Sequence, residues 1–158
     1  MPKNSSSSTT LSKARAYCAR QERAQQEVRD KLYAWGEHRT AVEAIIAQLI
    51  GEGFLNEARF AEHFAVSKFR QKGWGRRKIE QALRLKQVSY PCIALGLKAI
   101  EADEYDAFLV KAVGRRWQKV KEPNAFVKRQ KVLRYFIGRG YALEKVEQAL
   151  AAMEAEVE

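Results

Sequence analysis

The stretch VRDKLYAWGEHRTAVEAIIAQL, residues 28–49, sets Val28 and Leu32 four apart, breaks at Gly36, and resumes with Val42, Ile46 and Leu49. Apolar side chains three and four apart line one face of an α-helix, and a glycine between two such runs ends the first, so the stretch predicts a helical hairpin. The same five positions return 51 residues later as Ile79, Leu83, Ile93, Leu97 and Ile100, and 53 residues after that as Val132, Phe136, Val146, Leu150 and Met153. All fifteen are apolar in a chain that is 46% apolar, so the pattern is a repeat rather than an effect of composition. The second and third breaks fall at residues 87–91 and 138–140.

Outward from each hairpin, a further amphipathic stretch precedes it, at about residues 11–21, 56–72 and 103–120. In the last of these Tyr105, Phe108, Leu109, Ala112, Val113, Trp117 and Val120 share a face. In the middle one Phe60, Ala61, Phe64, Ala65 and Phe69 cover about half of the helical wheel, which predicts packing on two sides. No stretch alternates apolar and polar residues for long enough to form a strand. The expected fold is all-α, a tandem array of three three-helix units at 11–55, 56–102 and 103–158, elongated and curved. Residues 1–10 contain Asn-Ser-Ser-Ser-Ser-Thr-Thr at 4–10 and read as a disordered polar tail, because they offer no apolar surface to offset the entropy of ordering.

With 158 residues the chain can bury an ordinary core, and 29 basic against 19 acidic side chains give a formal charge of +10. Such a balance fits a partner that is nucleic acid or another anionic surface. The excess is focused. Residues 111–139 hold ten basic groups and only Glu122 as an acid, whereas residues 140–158 hold Lys145 against five glutamates. Lys111, Arg115 and Lys119 stand four apart opposite Trp117, and like charges at that spacing weaken a helix unless an anion offsets them. Lys131 and Arg134 follow in the next stretch.

A second run holds Lys68, Arg70, Lys72, Arg76, Arg77 and Lys78, interrupted by Gly73, Trp74 and Gly75, with Arg84 on the helical face of Arg77. Phosphates or acidic side chains are the natural ligands of such faces, although a charge run can also be a solvated face that keeps the protein soluble. Trp74 reads as a plug at the edge of the core, with a stacking platform as the alternative, and Trp35 beside Gly36 reads the same way.

Catalytic constellations are missing from the sequence. His38 and His63 have no metal-ligand spacing with each other or with Cys18 and Cys92, and the two cysteines are too sparse for a disulfide framework and read as inert thiols. No phosphate-binding loop, Gly-x-Ser-x-Gly elbow or HExxH pair occurs, and Gly138-Arg139-Gly140 lacks the third glycine of a dinucleotide loop. The expectation is therefore a protein with no enzymatic activity, no metal and no cofactor. No apolar run approaches the ~18 residues of a membrane span, which makes the cytoplasm the expected location.

Residues 53–88, with GFLNEARFA at 53–61, Gly73-Trp74-Gly75, Ile79, Leu83 and Val88, resemble the signature of the RecX family, bacterial regulators of the RecA recombinase. Tyr17, Arg20, Glu22, Glu27, Val28, Lys31 and Leu32 are similar to that family's first-unit motif, and residues 131–141 to its third-unit run. Two positions depart from it: Ala24 stands where the family often has a serine able to cap the second helix, and Gln87 where a glycine commonly ends the middle one.

The resemblance implies tandem three-helix units and a regulator, mainly an inhibitor, that binds the RecA–DNA filament. It would restrain filament growth, ATP hydrolysis, strand exchange and coprotease activity. The expected contacts to DNA or RecA are Lys68, Arg70, Lys72, Arg76, Arg77, Arg84, Lys111, Arg115, Lys119, Lys131 and Arg134. The expected protein is a monomer that binds single- or double-stranded DNA weakly by itself. The alternative is a stand-alone helical DNA-binding protein.

Overall fold

The structure is a computed structural model that describes the backbone of residues 2–157 and the side chains of residues 8–155. Among the described residues the chain is all-helical, with nine helices and no strand: α1 (Pro2–Arg20), α2 (Gln25–Ala34), α3 (Arg39–Gly51), α4 (Glu57–Lys72), α5 (Arg76–Leu85), α6 (Tyr90–Lys98), α7 (Ala102–Lys119), α8 (Ala125–Gly138) and α9 (Leu143–Val157). None is long and apolar enough to cross a membrane.

Of the fifteen repeat positions, thirteen are buried, and Leu97 and Met153 are half-buried. The repeat thus marks the inward faces of α2, α3, α5, α6, α8 and α9. Helix ends follow local chemistry. Glu101 caps α7 by accepting hydrogen bonds from the Asp103 and Glu104 backbone N–H groups at 3.3 and 2.7 Å, and Asn124 caps α8 through Val127 N–H at 3.1 Å. Ala24, the residue before α2, has no side chain to do this. Gln87 takes φ +59°, the left-handed conformation that normally ends a helix on glycine.

The start of the chain corrects one expectation. Residues 4–10, expected as a disordered tail, belong to α1. Thr10 is buried, and its hydroxyl donates to Glu37 Oε1 at 2.8 Å. Serine and threonine are only weakly disfavoured in helices, and extending a helix already nucleated at residues 11–20 adds a backbone bond for each residue fixed.

The chain divides into two compact units, one of Met1–Phe64 with Ala82–Gly96 and the other of Ala65–Gln81 with Leu97–Glu158, so α4, α5 and α6 each run from one to the other. In the first unit Ala14, Cys18, Val28, Leu32, Val42, Ile45, Ile46, Leu49 and Leu55 form one apolar cluster, edged by Leu11, Tyr17, Trp35 and Phe54. Trp35 packs edge-to-face on Tyr17 with ring centroids 6.2 Å apart, so it closes the rim of that core. Gly96 lets α6 approach α4, because a Cβ there would lie 2.7 Å from the Ala61 carbonyl oxygen.

In the second unit α7 contributes Tyr105, Leu109 and Val113, α8 contributes Val132, Leu133 and Phe136, and α9 contributes Val146, Ala149 and Leu150. Phe69, Tyr105, Tyr141 and Phe136 follow one another as contacting rings, with centroids 5.2 to 6.0 Å apart.

Candidate functional site

The basic residues of the second unit are gathered by one backbone contact. Gly75 N–H donates to the Arg139 carbonyl at 2.8 Å, and Arg77 N–H donates to the Gly140 carbonyl at 3.0 Å. Side chains could not be accommodated there: a Cβ on Gly75 would lie 2.4 Å from Gly140 C and O, and Gly140 has φ +101°. The contact sets the α8–α9 turn against the loop after α4. Arg139 then reaches back with Nη2 to donate to the Lys72 carbonyl, while Tyr141 Oη donates to the Gly73 carbonyl at 3.0 Å.

A cleft of about 300 Å³ results, with Arg70, Lys72, Arg115, Arg116, Lys119 and Arg139 as its charged lining and Phe108, Tyr135 and Phe136 as its aromatic floor. Arg116 lies over Tyr135, with Cζ 3.8 Å from the ring centroid, and its Nε is buried with no hydrogen-bond partner. Arginine stays protonated at any physiological pH, so an orphan guanidinium N–H is a donor in need of an acceptor. Arg115 belongs also to an adjoining groove that holds Lys111, Gly114, Gln118 and Met153, so the cleft is continuous with the stripe Lys111, Arg115 and Lys119 along α7.

The expected contact residues fall into two groups. Arg77, Lys111, Arg115, Lys119 and Arg134 are exposed and make no ion pair among the described residues, as does the ammonium of Lys72 at the cleft. Others are already engaged. Arg70 donates twice to Glu104, at 2.9 and 3.0 Å, and holds that carboxyl below the usual carboxylate range. Lys131 bonds Glu122 Oε2 at 3.1 Å and lowers it in the same way. Arg76 lies 4.0 Å over the Tyr105 ring and donates to the Ile100 carbonyl, so it serves the fold. Arg84 is exposed on α5.

Trp74 is half-buried, with Lys68 Nζ and Lys78 Nζ 5.1 and 4.7 Å from its ring. It is therefore a rim residue that carries two cations on its ring. Arg116 and Arg139 lie outside the expected contact set. Both fall within the basic segment 111–139, but Arg116 lies beside Trp117 on an otherwise apolar face and Arg139 within a glycine-flanked helix break. The flanking glycines of Arg139 were the available signal for a close backbone approach.

Among the described residues no three His, Cys, Asp or Glu side chains could hold a metal ion together. Cys18 is buried and Cys92 half-buried, both as free thiols, and burial pushes the Cys18 thiol up.

The family model described as RecX, second three-helix domain, matches residues 56–97, the stretch of α4, α5 and most of α6. The regulatory protein RecX of Vibrio vulnificus is 30% identical to this chain over 139 residues, covering 84% of this chain and 85% of that protein. The chain belongs to the RecX family. RecX of Cronobacter sakazakii is likewise 30% identical, over 157 residues that span 92% of this chain and 93% of its own. The crystal structure of RecX from Lactobacillus salivarius superposes with a TM-score of 0.89 at 18% identity, covering 96% of this chain and 99% of that one, which establishes the likeness in fold. The stretch that resembles the RecX signature supplies buried Leu55, Phe60, Ala61, Ile79, Leu83 and Val88 and the close-packed Gly75.

Proposed function

We propose that this protein is a non-enzymatic regulator of the RecA recombinase that acts in the cytoplasm by binding the RecA–DNA filament. It restrains filament growth and with it ATP hydrolysis, strand exchange and coprotease activity. Membership of the RecX family supports the partner, since the relatives over most of this chain are named regulatory protein RecX. The observation that carries the mode of binding is the exposed stripe Lys111, Arg115 and Lys119, continuous with the cleft in which Arg116 and Arg139 meet. Same-sign charge concentrated on one element destabilises that element slightly, by roughly 0.2–0.5 kcal/mol per pair four apart, and repays it only against a polyanion. In a filament the polyanion is the DNA together with acidic protein surface.

No side chain of the cleft performs covalent chemistry in this scheme. Binding alone does the work: a protein that prefers one filament state shifts the population toward it by its difference in affinity for the two states. Arg77 on α5, with Lys131 and Arg134 on α8, adds further cations of the second unit to this reading.

A second reading, a stand-alone DNA-binding protein, is favoured by the cleft itself, whose charged lining is purely cationic. The two separate on one comparison, in which labelled monomeric protein is titrated with RecA–single-stranded DNA filaments and with the same DNA bare, at matched salt. Filament regulation requires markedly tighter binding to the filament. Equal affinity, with a steep salt dependence on bare DNA, selects the stand-alone reading.

A further inference from the structure

We infer that the cleft between the end of α4, the middle of α7 and the α8–α9 turn is a phosphate subsite, which seats one backbone phosphodiester of a single polynucleotide strand while the strand continues along Lys111, Arg115 and Lys119. The inference rests on the nucleic-acid part of the function proposed above and names the group recognised.

Three observations carry it. First, donors enter the cleft from different elements: Arg115, Arg116 and Lys119 from α7, Lys72 from the end of α4, and Arg139 from the α8–α9 turn. A tetrahedral anion presents acceptor oxygens in several directions and suits such a set, whereas a carboxylate accepts within one plane. Second, the lining contains no acid, and the one carboxylate bonded to a lining residue, Glu104, is taken up by Arg70. The buried Nε of Arg116 has no acceptor from the protein. Third, the cleft does not end at one anion. Arg115 is shared with the groove that contains Lys111, and successive stripe residues rise about 6 Å along the helix axis, so a regularly charged chain is matched better than a free ion.

The binding is independent of base identity. Arg116 already occupies a face of Tyr135 at 3.8 Å, and Tyr135 and Phe136 pack edge-to-face with centroids 5.0 Å apart, so the aromatic floor orients guanidinium groups and is not a free stacking surface.

The test titrates the full chain with labelled oligothymidylate and oligoadenylate over a range of salt, for wild type, Arg116→Lys, Arg139→Lys and the exposed double variant Arg115→Gln with Lys119→Gln. Helicity is checked by circular dichroism. Each Arg-to-Lys change keeps the charge and removes the fork, so a merely solvated face would be indifferent to it. The expected result is a loss of affinity of about tenfold for each fork variant, and for the double variant a salt slope reduced by about 1.4. Thymidylate and adenylate should bind alike. Inorganic phosphate and pyrophosphate, which reach only the cleft, should compete weakly.

Unchanged affinity and slope in all three variants overturns the inference, as does competition by polyglutamate equal to that of the oligonucleotide at equal charge. Inorganic phosphate competing as well as the strand would reassign the cleft to a free phosphate compound. RecA ATPase inhibition by the same variants separates this inference from the function on which it rests. Lost oligonucleotide binding with intact inhibition leaves the phosphate cleft standing and removes DNA contact from the filament mechanism. Intact oligonucleotide binding with lost inhibition does the reverse.

Discussion

Two glycines of the second unit should respond to the same substitution with opposite signs. Gly75→Ala forces a Cβ to within 2.4 Å of Gly140 and 2.6 Å of Tyr141 N, all backbone atoms that cannot swing aside, and should cost roughly 1–3 kcal/mol. Gly114→Ala meets nothing within 4 Å inside α7 and should stabilise by roughly 0.5–1 kcal/mol. Chemical denaturation of both variants checks the pair. Tyrosines 105 and 141 supply a pH dependence: burial raises both phenols above their ordinary value near 10. The folded chain then holds its protons where the unfolded chain releases them, so their contribution to stability is intact below about pH 10 and declines as pH rises above it. Tyr141→Phe also loses the hydrogen bond to Gly73, worth about 1 kcal/mol at pH 7. Its stability should fall less steeply than that of wild type between about pH 9.5 and 11, which thermal melts across that range will show.

At the level of elements, the apolar period specified the helices and their inward faces, and Leu32, Leu83 and Phe136, which hold the same position in the three sequence repeats, are all buried. Leu83 is fully buried on α5, so Leu83→Ala should cost roughly 2–5 kcal/mol in denaturant titrations, whereas a surface position would be nearly neutral. The α5–α6 turn offers a gain instead. Gln87 holds φ +59°, a conformation that costs an L-residue about 1–2 kcal/mol, so Gln87→Gly should raise the melting temperature despite the greater freedom of glycine in the unfolded chain. Periodicity was silent about three things. It missed the ordering of residues 4–10, because a serine run carries no apolar period and gains its helix from the turns that follow. It placed Trp74 by residue type, without the lysines that flank its ring. It also left Arg116 and Arg139 out of the basic surface, because their meeting depends on a glycine-to-glycine approach between residues 75 and 140.

At the scale of the whole molecule, a charge of +10 favours anionic partners, and the cationic stripe and cleft of the second unit are where the proposed function has them bind. The engaged cations, Arg70 on Glu104 and Lys131 on Glu122, are exposed pairs of small energetic value that salt weakens further. In the function proposed above, the attraction for a filament is assigned to Lys111, Arg115 and Lys119, which are exposed and make no ion pair among the described residues. The most direct measurement of this claim is the rate of ATP hydrolysis by RecA on single-stranded DNA, at matched salt, with added wild type or with the triple variant Lys111→Glu, Arg115→Glu and Lys119→Glu. A control variant reverses Glu154 and Glu156 to lysine. The expected result is inhibition by wild type and by the control, and a large loss of inhibition by the triple variant at a nearly unchanged melting temperature, because all three reversed side chains are exposed. A triple variant that folds and inhibits RecA as strongly as wild type would contradict the account, and would reduce the stripe to a solvated face.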